Sequence, residues 1–265
     1  MLKTLLHIDS IDGIMNYDTI LKTYHAYNTN IKINQSVTNI KEISLKSLEL
    51  PIFFNNIRSA NNSNFFYFTF SYSTFNDIVI SVTITEQNYI TITSLITAIN
   101  SAISSAISAY LGLSIVLSVY NTNYIRITHN CTSLTLGKSL LINNILGFNS
   151  ATYNTLITTT NFYSLNIDNY IMLYITNLSG NDTITNGKIM TFKIILPNTN
   201  GSILYLCENS HFNQTISITD PFYVLSSLNI IILDRFGFPI LCNAHYSFTL
   251  GITYDKINEK IKRFL

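Results

Sequence analysis

The sequence predicts an all-β fold, a sandwich or barrel of many short strands with one or two short helices inserted. Three observations carry that expectation. Strand formers dominate the composition, with 17 Tyr and 16 Phe beside abundant Ile and Thr. Several segments alternate apolar and polar residues with period two. Turn signals built on Gly, Pro and Asn recur at short intervals, and no strand–helix alternation is sustained, so a doubly wound sheet is disfavoured.

Taken in order, residues 1–40 read as an N-terminal arm with partial strand content. LLHIDSID alternates, and NYDTILKTYHAYNTNIKI is partly amphipathic. KEISLKSLEL at 41–50 is a strand with Ile43, Leu45, Leu48 and Leu50 on its apolar side. It contains one phase slip near Ser47, the signature of a bulge. Pro51 has no amide proton to donate and fits a strand end. FFYFTFSYS at 65–73 and DIVISVTIT at 77–85 are the next two strands, with EQNY at 86–89 as a turn. In the first of these, alternate aromatics must face a core and the others a neighbour.

The clearest element is a helix after residue 90. Leu95, Ile96, Ile99, Ala102, Ile103, Ala106, Ile107 and Tyr110 recur at helical spacing. Thr91 or Thr93 can cap it, and Gly112 can stop it. LSIVLSVY at 113–120 and YIRITHN at 124–130 form a hairpin across Asn121, Thr122 and Asn123. A second short helix is expected at 138–146, ended by Gly147. The chain then returns to strands near 170–177, 188–196, 202–208, 214–219, 228–234 and 245–251, which completes a sandwich over 41–253. A short charged tail, 254–265, remains.

The chain has 265 residues, 47% of them hydrophobic, enough for one large or two small cores. Charged residues make up only 11% and the net charge is +1. So few charges suit a surface covered by neighbours. They disfavour a dedicated nucleic-acid binder, which needs clustered Lys and Arg. The one basic cluster, Lys260, Lys262 and Arg263, is small and terminal. Cys131, Cys207 and Cys242 lie far apart with no CxxC pair and read as reduced, buried thiols. No signal peptide is expected, because His7, Asp9 and Asp12 interrupt the first apolar residues. The apolar stretch 92–119 reads as a helix and a strand, not a membrane span.

No pattern for catalysis stands out. His7, His25, His129, His211 and His245 are scattered, without metal-ligand spacing. Asp9, Asp12 and Asp18 lack the glycine-centred spacing of a calcium loop. Asp220 and Asp234 could pair as acids, but Asp234 precedes Arg235, Phe236 and Gly237. A turn carboxylate bonding its own backbone is the simpler role there. Phosphate-loop, dinucleotide and nucleophile-elbow fingerprints do not occur. No cofactor and no metal are expected.

An ordered series of short motifs resembles the minor capsid or penton-type proteins of large double-stranded DNA viruses and their virophage relatives. LHIDSIDG at 6–13 is similar to the family's N-terminal strand. VTNIKEISLKSLELPIFFNNI at 37–57 is similar to its strand ending in Ile-Pro, an aromatic and Asn-Ile. ITEQNYITITSLITAINSAI at 84–103 and SLLINNILGF at 139–148 follow. NIIILDRFGFPILCNAHYSFTL at 229–250 resembles its closing pattern. Asn88 stands where Gly is common before Tyr89, and Asn tolerates positive φ. The aromatic after the proline is shared by Phe53 and Phe54.

The resemblance implies an eight-stranded jelly roll and a structural role in an icosahedral virion, without catalysis. It singles out Pro51, Phe53, Phe54, Asn56, Tyr89, Leu146, Gly147, Phe148, Asp234 and Gly237 as architectural or interface positions. It implies a homo-oligomer, a pentamer at a vertex if the protein is the penton, or else another minor capsid component beneath or between the major capsomers, with neighbouring major capsid proteins as partners, no specific nucleic acid and no transmembrane segment. The protein would be made in the host cytoplasm and reside in the capsid. A receptor- or carbohydrate-binding β-sandwich module shares the composition and would use exposed aromatics in loops. An enzyme on a β-scaffold would need a compact His/Asp cluster.

Overall fold

The computed structural model describes residues 1–18, 23–52, 55–149, 151–153, 156–165, 168–176, 178, 183–185, 188–196, 202–207, 214–220, 223–240 and 244–255. The chain opens with β1 (Leu2–Asp9), a 3₁₀ turn (Ser10–Asp12), β2 (Ile14–Asp18), β3 (Thr23–Thr38) and β4 (Ile40–Pro51). Next come β5 (Phe65–Tyr72), β6 (Phe75–Thr83), helix α1 (Ile92–Ala106), β7 (Ile115–Tyr120), β8 (Tyr124–His129) and β9 (Ser133–Leu136). A π-helical turn (Leu140–Ile145), β10 (Thr152–Tyr153) and β11 (Ile157–Thr158) follow. The remaining strands are β12 (Tyr170–Ile175), β13 (Thr183–Thr185), β14 (Lys188–Met190), β15 (Phe192–Ile195), β16 (Ile203–Leu206), β17 (Thr215–Ser217), β18 (Val224–Asp234) and β19 (Ser247–Tyr254). These elements form two compact units. One comprises Met1–Phe54 with Asp168–Leu265, and the other is Asn55–Ile167.

The first unit is a jelly roll, and its strand pairing shows why. One sheet has the order β1-β19-β4-β16, with β17 also on β4; the other runs β15-β12-β18-β3-β2. Take the sandwich strands in chain order: β1, β3, β4, β12, β15, β16 with β17, β18, β19. The first pairs with the last, the second with the seventh, the third with the sixth, and the fourth with the fifth, all antiparallel. Such nested pairing is one long antiparallel ribbon folded over on itself into two sheets. The all-β fold class expected from composition and alternation is the one observed. Ile31, Ile43, Leu45, Leu48, Leu50, Leu173, Phe192, Ile230, Phe248 and Leu250 fill the single core between the sheets. The step from one sheet to the other at Asn39 takes a single residue, held at φ 54°. Asn adopts that left-handed conformation more readily than most side chains.

The N-terminal residues, expected as an arm with partial strand content, contribute strands to both sheets. β1 pairs with β19 along its whole length, from Leu2 opposite Tyr254 to Asp9 opposite Ser247. β3 forms the second strand of the ribbon. The segment looked weak because β1 is an edge strand, whose outward residues carry no core pattern. Burial is confined to Ile8 at its inner end. The 254–265 boundary falls inside β19 at Tyr254, and residues 256–265 lie outside the described residues.

The phase slip in the 41–50 strand is a bulge. Leu250 pairs with Leu45 and Thr249 with Ser47, so Lys46 is the extra residue. A second slip leaves Lys41 unopposed between Ile40 and Glu42. Each bulge resets the alternation, so Ile40, Ile43, Leu45, Leu48 and Leu50 all point inward despite their irregular spacing.

The second unit is inserted between the third and fourth strands of the ribbon and has its own core. Two sheets, β10-β9-β5-β6 and β11-β8-β7, share it with α1. Phe66, Phe68 and Phe70 on β5 are buried, while Tyr67 between them is 40% exposed. α1 begins as expected, with the Thr91 hydroxyl accepting from the Ser94 amide at 3.2 Å. It buries Leu95, Ile96, Ile99 and Ile103. It ends at Ala106, earlier than Gly112 suggested, because Ile107 to Gly112 turn away one hydrogen bond at a time. The sequence reading placed these residues inside one continuous sandwich. Alternation reports that a strand has a buried face, not which core the face belongs to.

Candidate functional site

The positions singled out from the sequence fall into three local clusters. In the inserted unit, the Asn56 side-chain amide reads both main-chain groups of Tyr89. Its Oδ1 accepts from the Tyr89 amide at 2.9 Å, and its Nδ2 donates to the Tyr89 carbonyl at 2.9 Å. The same Nδ2 also donates to the Leu165 carbonyl at 3.2 Å. Tyr89 is itself buried and donates from its phenol to the Thr85 carbonyl at 3.1 Å. The extended segment before Arg58 and the turn before α1 are thus fastened to each other by this side chain, beside the single antiparallel bridge of Ile57 with Gln87. Asn88 is not among the residues with positive φ, so the turn does not need the left-handed geometry expected there.

Leu146, Gly147 and Phe148 close the π-helical turn. The two apolar side chains are buried. The Leu146 amide donates to the Leu141 carbonyl and the Phe148 amide to the Ile142 carbonyl, each at 2.9 Å. Gly147 has φ 83°. A Cβ there would sit 2.5 Å from the Asn161 carbonyl oxygen. Both the dihedral and the close approach of backbone require glycine.

In the jelly roll, Asp234 ends β18 and is fully buried. Its Oδ1 accepts from the Phe236 and Phe238 amides, each at 2.9 Å. Its carbonyl accepts from the Gly237 amide at 2.9 Å, and Gly237 sits at φ 83°. The carboxylate organises its own turn. Pro51 ends β4 opposite Ile203. Phe53 and Phe54 lie outside the described residues.

A recurring device escaped the sequence reading. Asn100 on α1 bonds both main-chain groups of Leu117, with its Oδ1 accepting at 2.8 Å and its Nδ2 donating at 2.9 Å. Gln214 does the same to Lys193, each bond at 2.7 Å. Asn143 spans from the Ser139 amide to the Phe148 carbonyl, and Asn130 from the Ser114 amide to the Gly112 carbonyl. A carboxamide offers one acceptor and a two-hydrogen donor, so it stands in for a peptide group where a ladder ends. In an Asn-rich chain nothing in the sequence marks these residues out from their neighbours.

The surface of the jelly roll carries apolar residues along both lateral sides. Ile11 (66% exposed) sits within the 3₁₀ turn and Ile14 (77%) opens β2. Ile195 (67%), Ile203 (43%) and Tyr205 (66%) lie on β15 and β16, the opposite edges of the two sheets. Among the described residues no group of three or more His, Cys, Asp or Glu is placed to hold a metal ion. Cys131 is buried, and burial pushes its thiol up. Cys207 is exposed, contrary to the expectation of burial, because it lies just past the end of the edge strand β16. No helix among the described residues is long and apolar enough to cross a membrane.

No family model matches the chain. No curated protein matches it either. Among solved structures, the chain is similar to the selenomethionine-labelled mavirus penton protein, at 12% sequence identity and a TM-score of 0.52. The match covers 96% of this chain and 100% of that one. The likeness is one of fold, and it runs through the inserted unit as well as the jelly roll.

Proposed function

We propose that this chain is a structural capsid subunit, a penton-type protein that forms a five-membered ring at the vertices of an icosahedral double-stranded DNA virus. The observation that carries the reading is the fold likeness to the mavirus penton protein over nearly the whole of both chains. The surface agrees with it. A closed ring is held by a heterologous contact, in which one side of each subunit meets a different side of the next. The jelly roll carries exposed apolar residues on both lateral sides, Ile11 and Ile14 on one and Ile195, Ile203 and Tyr205 on the other. The low charge of the chain lets such sides approach without burying many ions. Neighbouring major capsid proteins would surround the ring, and the protein would reside in the virion after synthesis in the host cytoplasm.

Light scattering across a range of concentrations tests this. The expected mass is five chains. Tyr205→Asp, on one lateral side only, is expected to shift that mass to one chain while leaving the melting temperature of the monomer intact. A mass that stays at one chain at every concentration overturns the self-assembling vertex subunit. Saturable capture on a glycan array by such a monomer would favour a binding module instead.

A further inference from the structure

The inserted unit carries a cation with no anion to hold it. β8 is the middle strand of the sheet β11-β8-β7. Ile125 and Ile127 on β8 are buried in the core, so Tyr124, Arg126 and Thr128 stand on the other face of the sheet. Arg126 lies opposite Ser118 of β7 and opposite Thr158 of β11, and Tyr124 lies opposite Tyr120. The guanidinium carbon of Arg126 sits 3.5 Å from the centre of the Tyr120 ring. At that distance the two planes stack, and the N–H groups at the guanidinium rim are left for an acceptor. Among the described residues no hydrogen bond or ion pair supplies one, and Nε of Arg126 is buried without a partner. The acids of the inserted unit, residues 55–167, are Asp77 and Glu86. Both are engaged away from this sheet. Asp77 accepts from the Ser71 hydroxyl at 3.4 Å, and Glu86 accepts from the Ser59 amide and hydroxyl at 3.0 and 2.6 Å. Beside the cation stands an aromatic pair: Phe162 is 63% exposed and meets Tyr124 edge-on, with ring centres 5.1 Å apart.

We infer that this face binds a carboxylated sugar, an acidic glycan unit, with its carboxylate on Arg126 and its ring against Tyr124 and Phe162. A planar guanidinium takes a carboxylate through two parallel hydrogen bonds. The C–H bonds of a pyranose carry slight positive charge and lie favourably against the negative face of an aromatic ring. Ser118 is exposed and Thr158 half-buried, so Arg126 is flanked on both sides by hydroxyls that can exchange hydrogen bonds with those of a sugar. A nucleic acid fits less well. Arg126 is the sole Lys or Arg of β7, β8 and β11, and the other two of the unit are Lys138 and the buried Arg58. A phosphate chain needs a basic track, whereas one cation among hydroxyls suits one carboxylate on an otherwise neutral ring. The face lies within the inserted unit and uses none of the lateral residues of the jelly roll, so the inference stands apart from the capsid reading.

Calorimetry and saturation-transfer NMR on the full chain are the test, with 3′-sialyllactose and a glucuronic-acid disaccharide as acidic probes and lactose as the neutral one. The expected result is saturable binding of at least one acidic probe, about tenfold or more tighter than lactose. Arg126→Gln should weaken that binding about tenfold while leaving the urea midpoint in place, because the guanidinium makes no hydrogen bond within the fold. Phe162→Ala, at an exposed position, should weaken it several-fold. Ser118→Glu sets a carboxylate directly across the strand from Arg126 and should abolish binding with every sugar-contacting residue still present. That variant decides the question even if Arg126→Gln fails to fold. Lack of saturable binding of both acidic probes up to about 10 mM overturns the inference. So does lactose binding as tightly as they do, or undiminished binding by the Ser118→Glu chain. Tighter binding of an oligothymidylate than of either acidic sugar would make the face a nucleic-acid platform and overturn it as well. The mass of the assembly does not enter this test, so its failure and that of the ring are told apart.

Discussion

Single side chains that bond the main chain fix the non-repetitive parts of this molecule. Asn56 makes three such bonds, and Asn56→Ala removes all of them while leaving the Tyr89 and Leu165 groups poorly solvated. The expected loss is about 2–3 kcal/mol, read from urea unfolding. A midpoint within error of wild type would show that water replaces the amide. Gly147→Ala places a Cβ against the Asn161 carbonyl in a left-handed conformation, for an expected cost of about 1–3 kcal/mol. Two tyrosines give the fold an alkaline limit. Burial pushes the Tyr223 phenol up to about 12. It pushes Tyr246 up as well, against a smaller opposing effect of its 2.8 Å hydrogen bond with Thr29. Unfolded tyrosine ionises near pH 10. Above that value the unfolded chain releases protons that the folded chain keeps, so stability falls as pH rises. The contribution is complete below about pH 10 and drains away towards pH 12 and beyond. Tyr246→Phe should lower the unfolding free energy at pH 8 by about 1 kcal/mol through the lost hydrogen bond. It should also flatten the decline between pH 10 and 12; an unchanged slope would mean another group titrates. None of these roles was legible in full. Gly147 and the Asp234 turn stood out because a helix stop and an Asp-x-x-Gly turn have local signatures. Asn100 and Gln214 did not, since their partners are distant in sequence.

Among the elements, β4 shows how an irregular pattern encodes a regular structure. Leu45 and Leu48 are three apart and both buried, which a plain strand cannot do. The extra residue Lys46 resolves the conflict by leaving the ladder. Deleting Lys46 should therefore restore simple alternation and keep all the leucines inward. Deleting Ser44 should turn Ile43 and the residues before it outward. The expected order of urea midpoints is wild type, then the Lys46 deletion, then the Ser44 deletion far below; a reversed order of the two deletions would refute the bulge as the register device. The slip was visible in the sequence because burial leaves a period. The edge strand β1 showed only as the alternating LLHIDSID, without its place in a sheet, because only one end of it is buried.

On the scale of the whole chain, one core is local and the other is not. Among the described residues, every buried apolar residue of the inserted unit lies between Ile57 and Ile157. The jelly roll instead joins β1 to β19 and β3 to β18 across the full length of the chain. Residues 55–167 expressed alone should fold, with cooperative urea unfolding and a far-ultraviolet spectrum of mixed strand and helix. A fragment without a cooperative transition would show that its core needs the rest of the chain. In refolding, the inserted unit should form first, because loop closure over short separations costs less entropy.

The sequence by itself determined the fold class, most strand positions, the capped start of α1, the bulge in β4 and the glycine turns. All of these are properties of periods and short-range contacts, which a linear pattern records. Tertiary structure alone decided the division into two cores, the place of residues 1–40 within the sandwich, and the nested order of the ribbon. It also decided which of many identical amides act as peptide surrogates. The physical reason is common to all four: each rests on a pairing between residues far apart in the chain, and alternation says that a face is buried without saying against what.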